Sequence, residues 1–476
     1  MVVLAILKYN NFYRSYNIMS KRTNLVYLDN NGTTQTHPQV IQEIIKWMKN
    51  INNPSTDNFL SEPSKQLISF AQEYILKHCK VSMETYSVIF TSSGCESNSF
   101  ILRSTTSAYK NKFNKIPHVI VSAIEHSSII DCVECLYKDG CLTYSLVEPN
   151  VFGIIEVETV KKYIKNNTCL ISVMYANNEV GSINDVYKIA KMAEQNNIPF
   201  HTDATQIFGK IPVNMNGLTA LSASFHKFYS GNGIGLLIIK NSFIESYKLK
   251  GIINGSQQKH LRGGTESTAI IAGALKGLII NFNKRGEKNK KLFELRTYTL
   301  DKLSSYIPIV YYSTYKNYTD TNDILFVLFG PEISQKNHYM PNTILMSTYI
   351  KNFSLCNVLL KKELEQYGII VSIGSACNTS SKNASHVIKA LNVPDNLKRG
   401  VLRISFGDFN IKTDVDKFVK ILLMSINKQF QINSLLKKPI RFLNKKVRFN
   451  PHIENILTNK DPKVIRKEIV KSILKK

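Results

Sequence analysis

Short apolar runs alternate with stretches of helical periodicity through the first half of the chain. Val26-Tyr27-Leu28 reads as a strand leading into the polar loop Asp29-Asn30-Asn31-Gly32-Thr33-Thr34. Pro38 opens a predicted helix whose apolar positions, Val40 to Met48, recur at helical spacing. A second helix is expected over about Ser64 to His78. The buried strand Ser87 to Phe90 then ends in the small-residue turn Thr91-Ser92-Ser93-Gly94-Cys95-Glu96-Ser97-Asn98. Further strands are predicted over His118–Ser122, Leu142–Val147, Cys169–Met174 and Ile198–Phe200. Helices between them follow Glu125-His126-Ser127-Ser128, run near Glu158–Lys165, and span Asp185–Gln195. This alternation predicts an α/β fold with a mostly parallel sheet covered on both faces. Ligands in such sheets bind beyond the strand C-termini, where each of these polar clusters falls.

The stretch from Phe200 to Gly235 carries the densest candidate chemistry. Asp203 closes a strand, Gln206 follows, and a second apolar patch ends in Ser224-Phe225-His226-Lys227 before a glycine-rich turn, Gly231 to Gly235. A lysine among small and polar residues, downstream of a strand-end carboxylate, suits a Schiff-base cofactor. Lys227 would form the imine, Ser224 and His226 would hold a phosphate, and Asp203 would keep a pyridine nitrogen protonated. A surface lysine after an ordinary βα loop fits these residues equally well. The turn at Gly94-Cys95 is open in the same way, between a phosphate cradle of helix-start N–H groups and a plain N-cap.

After strand Leu236–Lys240, a long helix is expected from Gly263-Gly264-Thr265-Glu266 to about Lys284 and on to Leu303. Residues 305–338 are tyrosine-rich around one strand, Ile324–Leu328. A compact second unit follows. It comprises strand Thr343–Met346, helix Ser354–Tyr367, strand Ile369–Ile373, loop Gly374–Ser381, helix Ala384–Leu391, strand Val401–Ser405 and helix Asp414–Leu422.

Composition changes this picture only at the edges. The 476 residues include 43% hydrophobic positions and carry a formal charge of +26. Much of the charge sits in residues 437–476, which hold thirteen Lys and Arg against three acids. Apolar runs are too short to span a bilayer. Eight cysteines in a chain this long make no disulfide framework and suit a reducing compartment, so the cytoplasm is expected. Residues 1–18 carry Lys8 and Arg14 and no acid, which leaves mitochondrial targeting as the alternative. Cys132 and Cys135 form one CxxC with no matching second pair, so no metal site is assigned. In the tail, Lys445-Lys446-Val447-Arg448-Phe449 resembles the docking motif of type-1 protein phosphatase partners, with Val447 and Phe449 as anchors. A terminal helix after Asp461-Pro462 is the plainer reading of the last residues.

Taken in order, these motifs resemble the cysteine desulfurase (NifS/IscS-like) family of fold-type-I pyridoxal-phosphate enzymes, in the class-V aminotransferase superfamily. The resemblance runs from about Tyr27 to Asn410. It rests on Tyr27 to Thr34, Phe90 to Asn98, Glu125-His126, Asn177-Asn178-Glu179-Val180-Gly181, His201 to Gln206, Ser224 to Lys227, Arg262 to Glu266, Gly374-Ser375-Ala376-Cys377 and Leu402 to Gly407. It implies that Lys227 holds pyridoxal 5'-phosphate and moves protons at the substrate Cα. Asp203 would pair with the pyridine nitrogen, Gln206 with the phenolic oxygen, and His126 would stack on the ring. Gly94, Cys95, Ser224 and His226 would hold the phosphate together with Thr265 of a second subunit, which implies a homodimer. Arg403 would clamp the substrate carboxylate and Asn177 would help position substrate and cofactor. Cys377 would attack the sulfur of L-cysteine and pass a persulfide to a sulfur-acceptor protein, as in iron–sulfur cluster assembly.

The implied organisation is a large cofactor domain over 36–290, preceded by a segment at 21–35 and an extension at 1–20. A smaller α+β domain with the Cys377 loop spans 291–428, including an insertion at about 305–338, and a basic tail runs over 429–476. Departures are Cys95 where the family carries Thr, Gln258 at a usual acid, and Ala384 for Pro. Two other classes stay open beside the desulfurase: a selenocysteine or other lyase, and a degenerate scaffold acting through its tail.

Overall fold

A computed structural model describes residues 25–51, 53–315, 324–335, 337–350, 353–373 and 385–434. The chain starts with β1 (Val26–Tyr27), then helices α1 (Pro38–Met48) and α2 (Glu62–His78). The central region alternates β2 (Tyr86–Thr91), α3 (Gly94–Phe113), β3 (His118–Ser122), α4 (Ser127–Lys138), β4 (Thr143–Val147) and α5 (Val157–Lys161). It continues through β5 (Thr168–Ser172), α6 (Val186–Gln195), β6 (Phe200–Asp203), β7 (Ala220–Ser224), β8 (Gly235–Lys240) and α7 (Asn241–Tyr247).

These strands form one seven-stranded sheet in the order β2-β8-β7-β6-β5-β3-β4. Only β8 runs against the rest, pairing antiparallel with both β2 and β7. The mostly parallel sheet predicted from the alternation is therefore what forms. Strands β2, β3, β5, β6 and β7 are buried along their whole length, as helices on both faces require. Their C-termini, at Thr91, Ser122, Ser172, Asp203 and Ser224, lie along one edge. Strand β6 begins two residues later than the apolar pattern suggested and takes in His201 and Thr202. Both are fully buried, and His201 is satisfied by Ser172 and Ser222 on the neighbouring strands. Polar side chains paired across strands carry no apolar signature.

Helix α8 (Thr268–Ser304) is 37 residues long, about 55 Å at 1.5 Å per residue. Its first half buries Ile271, Leu275 and Leu278 in the core below the large sheet. Its second half buries Leu292, Leu295 and Leu303 in a second core. That second core lies under a five-stranded sheet of β9 (Ile309–Tyr311), β10 (Ile324–Phe329), β11 (Thr343–Ile350), β12 (Phe353–Ser354) and β14 (Val401–Ser405). Strand β9 pairs parallel with β10 inside the tyrosine-rich stretch, where only one strand was expected. Helix α9 (Asn357–Gln366), β13 (Ile369–Ile370), α10 (His386–Ala390), α11 (Asp395–Lys398) and α12 (Lys412–Ser434) complete the chain. α12 runs twelve residues past the predicted end at Leu422, and buried Ile426 and Phe430 continue its apolar face. β1 pairs with β13, and Ser405 N–H donates to the Leu28 carbonyl, so the N-terminal segment is stitched to the second sheet. Among the described residues no helix is long and apolar enough to cross a membrane.

Candidate functional site

The strand ends open into a cavity of about 420 Å³ lined by residues of both sheets, including Lys227, Asp203, His126, Gln206 and Arg403. Ser93 caps α3, accepting from Glu96 N–H, while Glu96 Oε2 accepts from Ser92 N–H at 2.6 Å. This capping box holds the turn Ser93-Gly94-Cys95 at a helix start whose unpaired N–H groups favour an anion. Gly94 sits tight: a Cβ there would lie 3.2 Å from Ser224 Cβ and 3.3 Å from Thr205 Oγ1. Burial alone would raise the Glu96 carboxyl, but bonds from Arg262 and Ser92 outweigh it and keep the group below its ordinary value. The same Arg262–Glu96 pair, 3.0 Å apart, ties the turn to the loop that carries Thr265.

Asp203, 4% exposed at the end of β6, has both oxygens engaged. Oδ1 accepts from Thr205 N–H at 2.9 Å and Oδ2 from Asn98 Nδ2 at 2.8 Å. Two neutral donors on one buried carboxylate fix the plane in which it faces the cavity. The Asn98 Oδ1 atom is buried and has no partner within the described chain. Asn98 closes the small-residue stretch after β2. Its reach to Asp203 spans 105 positions, and no local pattern marks it.

Lys227 ends a one-turn 3-10 helix after β7. Its Nζ donates to the carbonyls of Asn31 at 2.8 Å and Gly32 at 2.5 Å. Burial, followed by the nearby Arg403 charge, pushes the ammonium down to about 8, against the pull of Asp29 and Asp203. A lysine poised there is a competent nucleophile near neutral pH. His126 caps α4, and its Nδ1 accepts from Ser128 N–H at 3.2 Å, which leaves Nε2 for the cavity. The surrounding protein desolvates its ring and lowers its pKa, with Asp203 opposing. His226 meets Thr33 Oγ1 through Nδ1 at 3.0 Å, and burial beside Lys227 and Lys210 lowers it to about 4.

Arg403, on β14, places its guanidinium in the same cavity. Nη2 pairs with Asp29 at 2.5 Å and Nη1 donates to the Asn178 carbonyl at 3.1 Å. The side chain is 6% exposed, and Nε is buried without a partner among the described residues. A buried cation held on one edge by a carboxylate is pre-set to take a second planar anion.

One predicted site residue stands elsewhere. Asn177 is fully buried, and its neighbour Asn178 lines the cavity instead. The Asn177 amide donates to the Ile124 carbonyl, and its oxygen accepts from the N–H groups of Glu179 and Val180, so it shapes the loop. Thr265, expected to serve the site of a second subunit, is exposed and outside the lining of its own subunit's cavity. Cys377, Val447 and Phe449 lie outside the described residues. The chain enters the Cys377 segment from Ser372, which lines the cavity and exchanges backbone bonds with Arg403. It re-emerges at Ser385, bonded to Glu179, and at His386, whose Nε2 lies 2.7 Å from the Glu125 carbonyl. The amide of Gln258 both donates to the Phe90 carbonyl (2.9 Å) and accepts from Phe90 N–H (2.7 Å), closing the edge of β2 in a way a carboxylate cannot.

The family model for class-V aminotransferases matches residues 26–418. The chain belongs to that family, in its NifS/IscS-like branch. It is 32% identical over 418 residues to cysteine desulfurase IscS of Clostridium botulinum (strain Kyoto / Type A2), covering 86% of this chain and 96% of that protein. IscS of Dictyoglomus turgidum is 33% identical over 409 residues, covering 85% and 95%. A solved NifS-like protein superposes with a TM-score of 0.70 at 26% identity, covering 85% of this chain and all of that one. A NifS-like protein from Rickettsia africae gives 0.69 at 25% identity, covering 85% and 99%.

Proposed function

We propose that this protein is a cysteine desulfurase that uses pyridoxal 5'-phosphate to take sulfur from L-cysteine. The observation that carries the reading is one cavity that gathers an amine of depressed basicity, a doubly held carboxylate, a capped helix start and a buried guanidinium. Pyridoxal phosphate needs this donor set. The turn at Gly94-Cys95 with Ser224 and His226 suits its phosphate, Asp203 its pyridine nitrogen, Gln206 its phenolic oxygen and Lys227 its aldehyde carbon. When bound, the cofactor withdraws electrons from the substrate Cα.

The chain's own groups then divide the work. Arg403, anchored through Nη2 to Asp29 and through Nη1 to the Asn178 carbonyl, binds the substrate carboxylate and fixes its orientation. Lys227 takes the Cα proton and returns it, and His126, neutral near pH 7, moves a second proton at the ring face. The Cys377 thiolate attacks the substrate sulfur. An S–S bond forms, the Cβ–S bond breaks with its electron pair left on carbon, Cβ takes up a proton, and alanine departs. The persulfide on Cys377 passes to an acceptor protein. A homodimer, with Thr265 of each subunit completing the other's phosphate site, is supported by the exposed apolar side chains Phe59, Leu60, Ile252 and Ile253, which belong to the two segments joined by the Gln257–Ser55 bond.

The test is Cys377→Ser. The variant is expected to keep the yellow colour of bound cofactor and lose alanine and sulfide release from cysteine. Turnover equal to the unaltered protein would sink the mechanism, and a colourless protein that takes up no cofactor would sink the assignment.

A further inference from the structure

Behind Lys227 lies a second, small cavity of about 20 Å³, lined among others by Lys210, Lys227, Tyr229, Arg285, Lys288 and Asp408. Room for little more than one water is thus surrounded by four cations and one acid. Asp408 is already paired with Lys288, whereas the Lys210 ammonium donates to a neutral partner, Gln206 Oε1, at 3.2 Å. Gln206 in turn donates through Nε2 to the Asn31 carbonyl at 3.1 Å. That carbonyl also accepts from Lys227 Nζ.

We infer that Lys210 is a positioning residue that fixes the Gln206 amide with its N–H group toward the cofactor cavity. The inference rests on the cofactor reading above. An amide can turn over, exchanging its donor for its acceptor at little cost when nothing distinguishes the two ends. Here both ends are distinguished. A lysine nitrogen has N–H to offer in either protonation state, and a peptide carbonyl only accepts. One orientation satisfies both, and it leaves the second Nε2 hydrogen for the cavity that Gln206 lines. The reversed amide would set an oxygen against a phenolate oxygen.

Lys227 cannot enforce this orientation during the reaction. Joining the cofactor leaves it at most one N–H, so it must give up at least one of its bonds to Asn31 and Gly32. Lys210 stays in place because it arises from the turn that follows Gln206, with Gly209 at φ +80° immediately before it. Burial, with Lys227 adjoining and Asp408 opposing, brings Lys210 down to about 7. It therefore serves as a donor without placing a permanent charge beside Lys227.

The experiment compares holoenzyme of the unaltered protein, Lys210→Met, Gln206→Leu and the double variant. The readouts are the visible absorption band of the bound cofactor and the Kd of the apoprotein for pyridoxal phosphate. Lys210→Met is expected to shift the band and weaken affinity about tenfold, the scale of one buried hydrogen bond. In the Gln206→Leu background the same change should cost less than about twofold, because the two act as a unit. Lys210→Arg, which keeps a donor, should restore the band. If Lys210→Met does not fold, Lys210→Leu, which likewise has no donor, should shift the band in the same direction. An unshifted band, or an equal loss in both backgrounds, overturns the inference while leaving the cofactor reading intact. Unaltered protein that takes up no pyridoxal phosphate would overturn both.

Discussion

Replacing Gly235 with alanine perturbs the Ser93-Gly94-Cys95 turn from a position outside the cavity lining. Gly235 opens β8 opposite Thr91, the last residue of β2. A Cβ built there would stand 2.2 Å from the Ser93 carbonyl carbon, 2.3 Å from its oxygen and 2.5 Å from Thr91 Oγ1. Carbon–carbon contacts settle at about 3.5–4.0 Å, so the two sides must separate by about 1.3–1.8 Å. The obstruction is mostly backbone and cannot rotate aside. Ser93 is held by its cap to Glu96, and Thr91 by hydrogen bonds to Ser93 O and Ser97. The end of β2 and the Ser93-Gly94-Cys95 turn therefore shift together. Overpacking of this kind costs about 1–3 kcal/mol in stability, and a misplacement of about 1 Å at a binding element can cost on the order of 100-fold in rate. The assay is urea unfolding alongside apoprotein affinity for pyridoxal phosphate and kcat/KM on cysteine. Gly233→Ala is the control. Gly233 has φ +81° and nothing within 4 Å of a Cβ, so alanine there strains the loop but leaves the turn alone, and affinity should hold. Gly235→Ala with cofactor affinity equal to that control would refute the reasoning.

Three further outcomes are expected. Asp29→Asn removes the charge opposite Arg403, and with Asp29 a quarter exposed the loss should be about 1–3 kcal/mol, below that of a fully buried pair. KM for cysteine should rise more than kcat falls, and Lys227, which Asp29 now pulls upward, should titrate lower in the pH dependence of reductive methylation. Burial raises the Glu125 carboxyl to about 8, so the folded chain keeps a proton that the unfolded chain releases near 4.5. Stability from this group is then present at low pH and declines as pH rises from about 4.5 to 8, and urea midpoints across that range should show the decline vanish in Glu125→Gln. Gln258→Glu sets a carboxylate against the Phe90 carbonyl where the amide now donates, and should lower thermal stability at neutral pH by about 1–3 kcal/mol and recover part of it on acidification.

Much of this molecule can be read from its residues in order. The alternation of strands and helices, the polar residues at strand ends, and Asp203 and Lys227 at the close of β6 and β7 all follow from local periodicity and turn chemistry, which short windows contain. The apolar pattern misplaces boundaries where buried polar groups interrupt it, as at His201 and Thr202, or where a strand is as short as β9. The partnerships that make the site work are of another kind. Arg403 with Asp29 spans 374 positions, Lys227 with Asn31 spans 196, and Asn98 with Asp203 spans 105. Asn177 and Asn178 adjoin in the chain, yet only the second reaches the cavity. Residue type and spacing determined which chemistry the chain carries and which edge of the sheet bears it. Which donor faces which acceptor was decided by the folded structure alone, because a hydrogen bond is set by the position and direction of atoms brought together across two sheets.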